Sequence, residues 1–348
     1  MSQTGPVKGA IALGNNLAAH FSVTLIPLKW METEEVEVGP NVNIIRRGKS
    51  ESWASKFKFL NNYFQKEGGR ENVFCISFCL SSDVMAFLLK EKATIISSVR
   101  GNLPKNYKYE YGWIGLAIAY IHLLCLRRFD MVFSMSKSMS QQLRKFGIRK
   151  IVNIGNFVDE SDLRKYRTVK EEQSGALRFL FLGSLTNRKR VDLLITSFAR
   201  LAGDFHIDIV GDGPLKERLI QFVKREDLKE KVTFHGHLSD PYYILQKSDF
   251  FILPSESEGV SRAALEALFF GVPCILRDVD ANKELIQAGK NGFLFKTDKQ
   301  LLPLLQRILD GHLNIVSGKN DQKYLLPHEF QQVNSISKIK KLITSWPV

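Results

Sequence analysis

The chain has 348 residues, of which 44% are hydrophobic and 24% charged, and it carries a formal net charge of +13. That length accommodates two domains of ordinary size, and the composition excludes disordered and fibrous classes. The four cysteines, Cys75, Cys79, Cys125 and Cys274, form no C-x2-C pair and sit in apolar contexts, so reduced core thiols in a cytoplasmic protein are expected over a metal or disulfide role. The charge is uneven. Residues 1–170 hold 25 Lys and Arg against 14 Asp and Glu, while the remainder holds 24 against 22. The basic half points to an anionic partner: a membrane surface, a pyrophosphate or a nucleic acid. A solvated basic face is the plainer alternative.

In chain order, residues 5–9 read as a glycine-bearing loop, Ala10–Ala19 as a helix and Ser22–Leu28 as a strand. An α/β nucleotide-binding domain ordinarily has a strand before such a loop; here only four residues precede it, so the first strand is expected to be missing. Asn41–Arg46 reads as a short strand, and Ser52–Gln65 as a helix with Trp53, Phe57, Leu60 and Phe64 on one face. Val73–Phe78 and Thr94–Val99 read as strands around a helix at 83–89. Arg100 and Asn102 follow the second strand, where α/β proteins keep ligands, and are candidate acceptor-positioning groups. Residues 103–111 are aromatic and basic. Trp113–Leu126 is nearly all apolar, too short to span a bilayer, and ends in Arg127-Arg128. It reads either as a buried core helix or as an interfacial contact with anionic lipid. Asp130–Ser136, Ser138–Phe146 and Lys150–Ile154 read as strand, helix and strand.

Polar residues 161–176 mark a domain boundary. A second alternation follows: strands at 177–182, 206–210, 232–235, 250–253 and 274–276, with helices between them. Gly183 opens a basic loop that holds Arg188, Lys189 and Arg190. Gly211-Asp-Gly-Pro214 closes the strand at 206–210. Residues 328–344 have helical apolar spacing. The regular alternation argues two doubly wound α/β domains, with a cleft between their strand carboxyl ends.

The stretch 250–274 organises the second half. Its apolar strand ends at Pro254-Ser255, Gly259 permits a turn, and a helix over 263–270 stops at Gly271 and Pro273. Glu258 lies in the loop and Glu266 eight residues later, about two helical turns on. The backbone amides of a helix start attract a phosphate. Two carboxylates beside that site suit a ligand rich in hydroxyls, such as a sugar on a ribose nucleotide.

These residues resemble the family 4 retaining glycosyltransferases of GT-B fold, of the kind found in bacterial surface-polysaccharide synthesis. The likeness rests on Glu258-x7-Glu266 within Pro254-Ser-x-x-Glu-Gly and Glu-Ala-Leu-x-x-Gly-Val-Pro273, on Val210-Gly-Asp-Gly-Pro214, on Phe234-x-Gly236, on Asn156-x-x-Asp159 and on Lys189 in its basic loop. It implies an amino-terminal acceptor-side domain (1–165), a nucleotide-sugar domain (174–325) and a carboxyl-terminal helix (326–348) that crosses back to the first. It implies that Glu258 approaches the donor sugar, Glu266 holds the ribose, and the amides of Gly259 and Val260 meet the diphosphate. Lys189 and Arg188 then neutralise the leaving group, with Gly211, Gly213 and Gly183 beside the nucleotide and Gly5 and Gly9 facing the phosphates from the other domain. Neither metal nor cofactor is expected, because Lys189, Arg188 and the helix-start amides stabilise the diphosphate, and no general base is assigned, because the leaving phosphate is thought to take the acceptor's proton. Departures are Ser184 where the family keeps Arg, and Asp280-Ala-Asn-Lys-Glu284 where it keeps Gly-Gly-x-x-Glu.

The expected function is transfer of a sugar, with retention, from a nucleoside-diphosphate sugar (UDP favoured) to a lipid-linked glycan acceptor at the inner face of the cell membrane, the acceptor partner being a glycan or a polyprenyl-diphosphate-linked one. Anionic lipid, not nucleic acid, is the expected surface partner. The alternatives are a nucleotide-sugar epimerase or a non-catalytic GT-B scaffold.

Overall fold

The computed structural model describes residues 5–29, 38–48, 50–167, 175–313, 315 and 325–347. The expected loss of a first strand concerns residues 1–4, which lie outside that set, as do 168–174 of the polar stretch. The chain divides into two compact units: one runs to Phe157 and takes back Gln331 onward, and the other is Val158–Phe330.

In the first unit, β1 (Val23–Leu25) pairs in parallel with β2 (Val42–Ile44). β3 (Phe74–Ser77), β4 (Thr94–Val99), β5 (Met131–Ser134) and β6 (Ile151–Asn153) form a four-stranded parallel sheet in that order. All six residues of β4 are buried, as a parallel strand covered on both faces requires. On one face, Ala12, Leu13 and Leu17 of the helix Gly5–Leu17 pack with Ile96, Phe133 and Ile154, joined by Ile336 and Ile339 of the helix Gln332–Thr344. Ser335 Oγ donates to the Ile154 carbonyl at 2.6 Å. The carboxyl-terminal helix therefore belongs to the first unit. On the other face, Leu60 and Phe64 of the helix Trp53–Lys66 pack with Met85 and Leu89.

Residues 5–9 are not a loop. The helix Gly5–Leu17 runs through them, and Gly9 lies buried on it. A Cβ on Gly9 would overlap the Arg100 guanidinium, so the glycine is there for packing, not for a turn.

Leu103–Leu126 is helical throughout except at Gly112, whose φ of 62° and ψ of −142° break it. In a straight helix residues 107 and 122 would lie about 22 Å apart. Here Tyr107 OH is 2.9 Å from His122 Nδ1, their rings stack at 6.0 Å, and a Cβ on Gly115 would overlap the Tyr107 carbonyl. The segment is thus a helical hairpin turned at Gly112. His122 Nε2 reaches Asp83 Oδ2 at 2.7 Å, and Asp83 also accepts from Ser77 Oγ. With the Nε2 proton given to the carboxylate, Nδ1 accepts from the phenol. Burial, then the Asp83 charge, pushes the Tyr107 phenol up and keeps it a donor. The turn exposes Trp113 (77%) and Ile114 (73%), and leaves Ile121 and Leu124 open along the second half. The apolar helix is therefore not a buried core helix.

The second unit carries a six-stranded parallel sheet in the order β12-β11-β10-β7-β8-β9. The strands are β7 (Leu177–Leu182), β8 (Phe205–Val210), β9 (Val232–Gly236), β10 (Phe250–Leu253), β11 (Cys274–Arg277) and β12 (Gly292–Phe295). Phe179, Phe181, Phe198, Phe205, Phe251 and Phe269 fill its core, each less than 2% exposed or close to it. Residues 160–167 are joined to this unit: Tyr166 O accepts from Gln246 Nε2 at 2.8 Å and Phe269 O from Arg167 Nη2 at 3.1 Å. Cys274 is buried and its thiol is pushed well up, while burial raises Cys75 to about 12. Cys79, read as a core thiol, is exposed instead, at the amino end of the helix Leu80–Leu88.

Candidate active site

The sheet order places the site. From β7 the chain runs outward through β8 and β9, then returns to β10 and runs outward the other way through β11 and β12. The reversal falls between β7 and β10, and doubly wound sheets bind ligands in the crevice beyond the carboxyl ends of the strands at such a point. The two loops that leave there are 183–190 and 254–261. They hold Arg188, Lys189 and Glu258.

Their side chains meet. Lys189 Nζ lies 2.6 Å from Glu258 Oε1, and Arg188 Nη1 lies 3.2 Å from the same oxygen. Lys189 and Glu258 are both buried. Burial alone would push the Glu258 carboxyl up, but the Lys189 and Arg188 charges hold it below the usual carboxylate range. Glu258 is thus a buried anion clamped by two cations. An ammonium has three donors and a guanidinium five, so both cations keep capacity for an added anion.

The clamp is stitched into place. Glu256 N donates to Arg188 O at 2.9 Å, which ties the two loops backbone to backbone. Arg190, at φ 52° and ψ 43°, starts the helix Val191–Phe198 and pairs with Glu256 at 2.6 Å and Asp298 at 3.0 Å. Asp298 pairs in turn with Arg277 at 2.6 Å, and Arg277 Nε donates to the Pro254 carbonyl at 3.0 Å. Arg190 thus uses its guanidinium to brace the two loops, while Arg188 faces Glu258. Arg190→Ala is expected to lower kcat/KM about tenfold through looser loops, since misplacements near 1 Å cost up to about 100-fold. Steady-state kinetics on donor and acceptor check it. An unchanged value would show that the backbone bond alone holds the loops.

Asp280 was missed as a participant. Its φ of 45° is left-handed, the conformation glycine would supply where the resembling family keeps one. Asp tolerates it and uses its carboxylate: Oδ2 accepts from Ser257 Oγ at 3.1 Å and from the Glu258 N–H at 3.2 Å. The departure at Asp280 thus fixes the Glu258 loop. The signal was the acidic residue standing at a glycine position.

Ser261 caps the helix Arg262–Phe269, its Oγ accepting from Ala264 N at 3.3 Å. Gly259 and Val260 sit just ahead of that start, where amides collect negative charge. Glu266 is buried on the same helix, and Oε1 takes Arg262 Nε at 2.9 Å. Gly183, Gly211 and Gly213 bring neighbouring loops close. Gly183 N donates to Val210 O at 3.0 Å, Leu185 N to Asp212 O at 2.9 Å, and Gly211 N to Gly236 O at 2.7 Å. Gly211 has φ 141°, and a Cβ there would overlap the Gly183 carbonyl. Arg188, Lys189, Glu258, Gly183, Gly211, Gly213, Gly259, Val260 and Glu266 thus belong to one unit and its strand ends. Gly5, Gly9, Arg100 and Asn102 belong to the other. There Arg100 Nη1 donates to Asn156 Oδ1 at 3.2 Å, and Asn102 Oδ1 caps the hairpin by accepting from Lys105 N at 3.2 Å.

The fold is shared with solved GT-B structures. Anabaena HepE in complex with UDP-glucose superposes with a TM-score of 0.75 at 16% identity, covering 99% of this chain and 97% of that one. The apo lipopolysaccharide outer core galactosyltransferase WaaB gives 0.64 at 19%, covering 88% and 85%. The fold is GT-B. The family model "Glycosyl transferases group 1" matches residues 137–314, and the chain belongs to that family. It is a glycosyltransferase, which does not favour the epimerase or scaffold alternatives. Relatives include the Salmonella typhimurium lipopolysaccharide 1,6-galactosyltransferase, 25% identical over 279 residues (77% of this chain, 72% of that protein). Another is an Escherichia coli UDP-Gal:alpha-D-GlcNAc-diphosphoundecaprenol alpha-1,3-galactosyltransferase, 27% identical over 255 residues (68% and 64%).

Proposed function

We propose that the protein transfers a sugar with retention from a nucleoside-diphosphate sugar, UDP favoured, to a lipid-linked glycan during cell-surface polysaccharide synthesis. The observation that carries this is the Lys189–Glu258–Arg188 clamp at the switch point of the second unit. Breaking a sugar–diphosphate bond leaves an oxocarbenium-like sugar and a charged diphosphate. The remaining donors of Lys189 and Arg188, with the amides of Gly259 and Val260, meet that charge. The Glu258 carboxylate stands at the sugar end and Glu266 at the ribose. Positive side chains supply the stabilisation, so the proposal includes no metal and no further cofactor. Relatives named for UDP-Gal, lipopolysaccharide and a diphosphoundecaprenol acceptor support the donor and acceptor classes.

A thermal-shift screen of UDP-, GDP- and ADP-sugars tests the donor. A ligand at 100-fold its Kd adds about 2.7 kcal/mol of stability. We expect the midpoint to rise with a UDP-sugar and the rise to be lost in Glu266→Ala. Equal response to all three bases, or none, would sink the donor assignment.

The hairpin supports work at a membrane surface. Its exposed Trp113, Ile114, Tyr109 and Tyr111 lie beside Lys105 and Lys108, with Lys108 Nζ 4.5 Å from the Trp113 ring centroid. Aromatic side chains next to Lys suit the headgroup layer of an anionic leaflet on the cytoplasmic side. Co-sedimentation with vesicles containing phosphatidylglycerol is expected at low salt, with most of it lost at high salt or in Trp113→Ser/Ile114→Ser. Sedimentation indifferent to salt, lipid charge and this double substitution counts against the surface role.

A further inference from the structure

The helix Arg262–Phe269 opens on a cation. Ser261 caps it, Arg262 is its first residue, and its first turn holds no acidic side chain. A helix start already carries about half a positive charge on its unpaired amides, so acidic side chains are favoured there and basic ones are not. The one partner of Arg262 lies a turn further on: Nε donates to Glu266 Oε1 at 2.9 Å. As a device for helix stability that pair is the wrong way round, because i,i+4 ion pairs help most with the acid on the amino side. Positive potential is therefore concentrated where the Gly259 and Val260 amides and the Arg262 guanidinium come together.

Both members of the pair keep capacity. Among the described residues, Arg262 makes its hydrogen bond through Nε, and neither terminal nitrogen has one. Glu266 engages Oε1 and has no bond at Oε2. The Arg262 side chain is 16% exposed and that of Glu266 6%, so an added contact would be well shielded from water. Tyr242 stands beside the pair in a fixed aromatic group, 4.7 Å from the Tyr166 ring and 5.6 Å from that of Phe270. Burial, then the Glu266 charge, pushes the Tyr242 phenol up, so it stays neutral there.

We infer, on the donor-site reading, that Arg262 is a donor-binding residue: its terminal nitrogens take the phosphate joined to the ribose, while Nε holds Glu266 with its second oxygen offered to the ribose hydroxyls. A guanidinium fork matches phosphate oxygens, and a carboxylate accepts from hydroxyls. Four residues of helix rise about 6 Å, comparable to the reach from the ribose hydroxyls to a 5′-phosphate. The pair thus reads the junction of sugar and phosphate as a unit. This phosphate carries its charge before the sugar bond breaks as well as after. Arg262 therefore acts on donor binding, and Lys189 on the charge that develops at the leaving group.

The test measures inhibition constants, against the sugar donor, of the nucleoside, 5′-monophosphate and 5′-diphosphate of uridine, guanosine and adenosine. The proteins are the parent, Arg262→Met and Arg262→Lys. Arg262→Met is expected to weaken the mono- and diphosphate about 10- to 100-fold, and the nucleoside by less than about threefold. Donor KM should rise by a like factor, with kcat within about twofold of the parent. Arg262→Met can also lose thermal midpoint, because buried Glu266 then lacks its partner. Arg262→Lys keeps a cation on Glu266 but no fork for a phosphate, so it should hold the midpoint and still bind the diphosphate at least about fivefold more weakly. Parent-like diphosphate binding in both variants would overturn the inference and leave a structural ion pair. Equal losses for the nucleoside and its phosphates would overturn the phosphate contact. A parent that binds no diphosphate of any base would overturn the donor reading, and this inference with it.

Discussion

Lys189→Met is expected to lower kcat by about 100- to 1,000-fold, the loss that follows removal of one donor to a developing negative charge. The substitution keeps the length of the aliphatic stem beside Gly183 but deletes the ammonium that lies 2.6 Å from Glu258. Stability falls too, because a buried carboxylate then has Arg188 as its remaining clamp. The two losses separate in the double variant Lys189→Met/Glu258→Gln. Neutralising the carboxylate should recover most of the thermal midpoint and none of the turnover. Recovery of kcat alongside the midpoint would mean that Lys189 serves folding, not the leaving group.

Gly211→Ala is the second large effect. The residue sits at φ 141°, outside what an L side chain readily adopts, and its Cβ would overlap the Gly183 carbonyl oxygen of the neighbouring loop. Both obstacles are backbone, so no rotamer relieves them. A cost of about 3 kcal/mol is expected, which for a unit of this size lowers the midpoint by about 6–12 °C. Because the displaced loop carries Arg188 and Lys189, activity should fall below what the lost folded fraction explains. Denaturant unfolding and kinetics on the folded fraction check the two parts. A midpoint within 1–2 °C of the parent would show that the 183 loop yields freely, against its bonds to Val210 and Asp212.

Local pattern carried much of this molecule. Apolar runs bounded by glycine and proline marked nearly every strand, and the Glu258–Glu266 stretch announced a strand, a loop and a capped helix in the right order. What it concealed was of two kinds. Glycines near the start were read as chain breakers, yet Gly9 is a helix residue kept small for Arg100, a contact 91 positions away that spacing does not reveal. The ties from Arg190 to Glu256 and Asp298 cross 66 and 108 residues, and charge patterning along one element does not predict them. Asp280 was visible only as a departure, until its left-handed φ showed what the carboxylate gains there. The hairpin was hidden because 103–126 is helical in composition on both sides of Gly112; one backbone angle decides whether it is one rod or two.

That one angle also sets a depth. By length and composition alone, Leu103–Leu126 qualifies as a bilayer-crossing helix. Turned at Gly112, it offers two arms of about 14 and 21 Å, each shorter than the roughly 30 Å of hydrocarbon a crossing must cover. At the membrane surface proposed for this element, lipid contact would be confined to a single leaflet, met from one side only.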